Sequence, residues 1–141
     1  MEEIECLKYL YINLSMQRKT IKNILSRYEL KDSLYYLLLD NLKVYSRFMI
    51  SIKYMLKNRI NKENFLIKNN VVDAICSIQE QVFKSEGKQE IKKYIKEASK
   101  INILDIKRAR KEYKIKSKTI QNLLDRMVKF ELSNLENIKN V

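Results

Sequence analysis

Between positions 105 and 130 the chain reads DIKRARKEYKIKSKTIQNLLDRMVKF. Lys107, Arg108, Arg110, Lys111 and Lys114 crowd the first of two short helical patterns, and Lys116 and Lys118 open the second. Cations this dense can neutralise phosphates, and the amides that follow, Gln121 and Asn122, are side chains able to pair with adenine edges. The competing chemistry is that of carboxylates. Asp73 with Glu80, and Glu86 with Glu90 and Glu97, are conceivable metal ligands, yet each sits among lysines at spacings typical of surface ion pairs. The chain has no histidine, which removes Ser-His hydrolases, His-metal nucleases and classical zinc fingers, and no glycine-rich loop to cradle phosphates. The expectation is therefore a non-enzymatic protein without cofactor or metal.

The elements that must carry these residues read as helices. A chain of 141 residues that is 45% hydrophobic can bury one core, so a single domain over 1–141 is expected. There is no proline and one glycine, Gly87, so the turn residues of an antiparallel sheet are missing and an all-α fold follows. Ile4, Leu7, Leu10 and Leu14 predict a first helix ending near Met16, followed by a shorter one from Thr20 to Tyr28. A central helix starts behind Asp32 and Ser33, either of which can cap it, with Leu34, Leu38, Leu42, Tyr45, Met49, Ile52 and Leu56 on one stripe. Phe65 to Phe83 resume the pattern until Gly87, placed where a helix C-terminus favours a left-handed residue. Ile91, Tyr94, Ile95, Ala98 and Ile101 make a narrow stripe on a charged helix, and Ser133 with Glu136 has capping-box spacing for a last helical turn. The expected architecture is a compact bundle of five to seven helices, with 1–86 an apolar scaffold half and 87–141 a basic half.

Charge sharpens that division. Lys and Arg total 29 against 17 Asp and Glu, a formal net charge of +12. Of the 29, 22 are lysine, and with Ile, Asn and Tyr also abundant the composition matches A/T-rich codons. Residues 84–129 nevertheless hold 15 basic and 6 acidic side chains, against 13 and 9 over residues 1–83. Codon bias would spread charge more evenly, so an anionic partner is expected for the C-terminal half. Cys6 and Cys76 stand on apolar helix faces in no metal-like spacing and read as buried free thiols of a reducing compartment. The opening MEEIECLKYL lacks the pattern of a secretory signal, and the most apolar stretch carries Asp40, Lys43, Arg47 and Lys53, so a cytoplasmic protein without a membrane partner is expected.

The stretch 105–130 resembles helix-turn-helix DNA-binding proteins. Ile106, Ala109 and Tyr113 stand where that family keeps the inner face of its first helix, Ile115 where an apolar plug fills the turn, and Ile120, Leu123 and Leu124 where the second helix is pinned. The resemblance implies that Lys116, Ser117, Lys118, Gln121 and Asn122 face outward from a recognition helix. It also implies that Lys107, Arg108, Arg110, Lys111 and Lys114 reach the phosphate backbone, and that a homodimer forms if the site is palindromic. DNA is the first expected partner, with a regulator or accessory factor of a phage, plasmid or AT-rich bacterium as the setting. RNA, and an acidic protein docked on the same basic face, are the alternatives. The stretch also aligns without gaps to TIKNILSRYELKDSLYYLLLDNLKVY, 85 residues earlier, sharing Ile21 with Ile106, Tyr28 with Tyr113 and Leu38 with Leu123 among others.

Overall fold

The computed structural model describes residues 2–59 and 87–141. Every regular element among them is an α-helix: α1 (Glu2–Arg27), α2 (Ser33–Lys57), α3 (Lys88–Glu112) and α4 (Lys118–Ile138). The all-α expectation holds, but the described residues form four helices rather than five to seven. Segments expected to be separate are continuous. Nothing between Glu2 and Arg27 ends a helix at Met16, since no proline or glycine intervenes, and Thr20 turns its hydroxyl back onto the Met16 carbonyl at 2.9 Å. For the same reason α3 runs through Ile101 into the basic run, and α4 absorbs the tail as far as Ile138. The helix expected over Phe65–Phe83 and the thiol of Cys76 lie outside the described residues.

Gly87 corrects a second expectation. It has φ −86° and ψ −168°, an extended conformation open to any residue, and its carbonyl accepts from the amides of Glu90 and Ile91 at 3.2 Å each. It is the N-cap of α3, not a left-handed helix end.

The chain divides into two compact units, one carrying α1 and α2 and the other α3 and α4. In the first, Leu7, Leu34, Leu38, Ile52 and Leu56 are completely buried. Asn41, also buried, is satisfied by donating to the Leu37 carbonyl at 2.8 Å. Cys6 is a buried free thiol, pushed up to about 11 by burial and by the charge of Glu3, which keeps it unreactive at neutral pH. In the second unit Ile91, Ile95, Ile103, Ile106 and Ala109 of α3 and Ile120, Leu123, Leu124 and Met127 of α4 form the buried set.

In the second unit α3 packs against α4 as a helical hairpin, and the connections α1–α2 and α3–α4 match at an offset of 85 residues. The amide of Tyr28 closes α1 on the Ile24 carbonyl at 2.9 Å, and that of Tyr113 closes α3 on Ala109 at 2.9 Å. Asp32 caps α2 by accepting from the Tyr35 amide at 3.0 Å; Ser117 caps α4 by accepting from the Ile120 amide at 3.3 Å. The next amides follow suit, Tyr36 to Asp32 and Gln121 to Ser117. Seven shared residues in so biased a sequence would be weak evidence of repetition; the same caps at the same offset are stronger.

Candidate nucleic-acid interface

The buried face of α3 repeats as Ile91, Ile95, Ser99, Ile103, Ile106 and Ala109. At 100° per residue, Lys93, Lys96, Lys100, Lys107 and Lys111 fall within one arc of about 60° beside it, and the 18 steps from Lys93 to Lys111 rise about 27 Å. All five are exposed. The acidic residues of the helix, Glu90, Glu97, Asp105 and Glu112, lie outside that arc, although Glu97 approaches Lys100 to 4.0 Å at its border. The stripe runs at its C-terminal end into the hinge, where Lys114, Lys116 and Lys118 are also exposed.

Of the residues singled out from sequence, Lys107 and Lys111 belong to this stripe, and Lys93, Lys96 and Lys100 were missed. Their spacing of three, four and seven is the signal the sequence carries for them, ahead of the denser run that follows. Arg108 lies on the opposite side with the acids, 3.4 Å from Asp105 and 3.9 Å from Glu112, so its charge is largely answered within the helix. Arg110 is turned onto α4. Its Nη1 donates to Asp125 Oδ1 at 2.6 Å and its Nη2 to the Gln121 carbonyl at 3.1 Å, which ties the hairpin together just below the hinge.

Two more expected contacts are otherwise engaged. The Ser117 hydroxyl is the α4 cap, and the half-buried Gln121 side chain donates its Nε2 back to the Ile115 carbonyl at 3.0 Å. Gln121 therefore braces the turn instead of facing outward. Asn122 remains exposed on α4.

Lys92 donates to the Val141 carbonyl, Asn134 Nδ2 to Ser99 Oγ at 3.0 Å, and Asn102 Nδ2 to Glu131 Oε1 at 3.2 Å, before the Arg110–Asp125 pair near the hinge. Partners ascend α3 as they descend α4, so the helices lie antiparallel side by side over about 27 Å. Helices crossing at 90–120°, as a helix-turn-helix requires, would separate after a turn or two. The stretch 105–130 is thus the hinge end of a long helical hairpin.

Among the described residues no group of three or more Cys, Asp or Glu comes together to hold a metal ion, and no helix is long and apolar enough to cross a membrane. Of the carboxylates considered above, Glu90 and Glu97 are exposed on α3; Asp73, Glu80 and Glu86 lie outside the described residues. Comparison with family models, curated proteins and solved structures found no match.

Proposed function

We propose that the chain is a non-enzymatic, cytoplasmic DNA-binding protein, an accessory factor that holds the phosphate backbone through the lysine stripe of α3 and the hinge lysines Lys114, Lys116 and Lys118. One observation supports this above the others: five exposed lysines share one arc of α3 while its four acids lie outside it. A codon bias toward lysine raises the count on every face alike and does not sort charge by angle. A straight line of ammonium groups about 27 Å long suits the regular phosphates of a duplex, which release counterions as each lysine docks. Backbone holding needs no palindrome, so this reading does not call for a dimer. With Gln121 committed to the turn, it includes no adenine contact from that residue.

The test is affinity for duplex DNA as a function of salt. Replacing Lys93, Lys96, Lys100, Lys107 and Lys111 by alanine should lower the slope of log affinity against log salt by about four. Replacing Arg108 and Arg110 should leave the slope nearly unchanged, because both are already paired within the hairpin. An unchanged slope in the five-lysine variant would remove the stripe from the interface, and tighter binding to duplex RNA of equal length would make RNA the partner.

A further inference from the structure

Between α1 and α2 lies an open groove of about 230 Å³ lined by Tyr11, Arg18, Ser46, Met49, Ile50 and Lys53. Arg18 donates from Nε to Ser46 Oγ at 2.8 Å, and that hydroxyl donates to the Leu42 carbonyl at 2.8 Å, so the guanidinium is held in position before any ligand arrives. Met49 and Ile50 form an apolar centre, with Ile50 69% exposed and Tyr54 just beyond it 67% exposed. Arg18 is level with Ser46, and Lys53 stands seven residues further along α2, about 10.5 Å away along the groove. No acidic side chain lines it.

The α3–α4 hairpin carries different side chains at the positions that match by the 85-residue offset. At the positions equivalent to Ser46, Met49 and Lys53 it carries Glu131, Asn134 and Ile138, all buried, and two of them reach across to Asn102 and Ser99 of α3. On α2 those positions hold small, flexible or charged side chains, and Lys53 is exposed. We infer that this groove docks an acidic amphipathic helix of a partner protein, with two carboxylates seven residues apart on Arg18 and Lys53 and apolar side chains between them on Met49 and Ile50. Seven residues is two helical turns, so both carboxylates share one face with the residues three and four further on. The mode is that of a helix laid into a groove, with charge setting its register.

The probe is a synthetic helical peptide bearing two glutamates seven apart with leucines three and four after the first, titrated into the full chain by fluorescence anisotropy. A scrambled peptide of the same composition controls for the net positive charge. The ordered peptide should bind about tenfold more tightly than the scrambled one, and Arg18→Glu or Lys53→Glu should each remove about tenfold. A peptide with lysines in place of the glutamates should recover affinity for the Arg18→Glu, Lys53→Glu double variant. Ile50→Asp, at an exposed position that folding tolerates, should also weaken binding. Equal binding of ordered and scrambled peptides, or no effect of the Arg18 and Lys53 changes, would overturn the inference. So would loss of peptide binding on replacing the five α3 lysines, since the peptide would then be reading the stripe. Retention of peptide binding by that variant would support the groove whether or not the protein binds DNA.

Discussion

The two units share the capping pattern of their hinges and differ in what their flanks carry. The α3 positions Lys93, Lys96, Lys100, Lys107 and Lys111 correspond at the 85-residue offset to Lys8, Tyr11, Ser15, Lys22 and Ser26 of α1. One flank is a cationic line; its counterpart keeps two lysines and gives a tyrosine to the groove. The contacts between helices differ too, since Ser99–Asn134 and Asn102–Glu131 join α3 to α4 where Arg18–Ser46 joins α1 to α2. Backbone hydrogen bonding and capping are satisfied the same way in both, so the frame tolerates either choice.

The largest expected effect tests whether the frames are equivalent. Leu38 and Leu123 occupy the same slot and are both completely buried. Truncating either to alanine should cost about 2–5 kcal/mol, read from chemical denaturation followed by circular dichroism. A loss below about 1 kcal/mol at one site only would show that the slots are not equivalent.

Much of this frame was legible in the sequence, because apolar period and capping chemistry are local. Ile106, Ala109, Ile120, Leu123 and Leu124 are buried as read, and Asp32 is a cap as read. What failed depends on partners distant in sequence. Ile101, read as part of the inner stripe, is 56% exposed, while Ser99, which no apolar pattern would select, is 1% exposed because Asn134 meets it from α4. Arg110 and Gln121 were read as free to meet a ligand, and long-range or turn partners occupy both. The lysine stripe was visible in principle. The dense run from Lys107 to Lys118 drew attention to local charge density, whereas a helix displays charge by period.

An intermediate effect sharpens the contrast between these helix contacts. Ser99→Ala removes the Ser99 acceptor of the buried Asn134 amide, which should cost about 1–3 kcal/mol. Adding Asn134→Leu should recover most of that loss, since removing both polar partners together avoids the desolvation penalty. If the double variant is no more stable than Ser99→Ala, the pair is fixing helix register and not merely satisfying itself. In the first unit Ser46→Ala should cost less, because its bond with Arg18 is only partly buried.

The smallest expected effect lies in the hinges, where one tyrosine meets a carboxylate. Tyr28 donates its hydroxyl to Asp32 Oδ2 at 2.6 Å, and burial, this hydrogen bond and the negative charge of Asp32, in that order, raise it from 10.0 to about 12. A raised value in the folded state means that folding favours the neutral phenol. The associated stability is complete below about pH 10 and is lost as pH rises through about 12. Asp32→Ser installs the residue that the second hinge has at Ser117, which still caps a helix but carries no charge. In that variant the Tyr28 transition, followed by ultraviolet absorbance of the phenolate, should move down toward 10.0 without reaching it, because burial remains. Tyr28→Phe should remove the transition and flatten the alkaline loss of stability over the same range. A Tyr28 transition unmoved by Asp32→Ser would mean that burial alone sets it, and the two hinges would then be electrostatically alike despite their different caps.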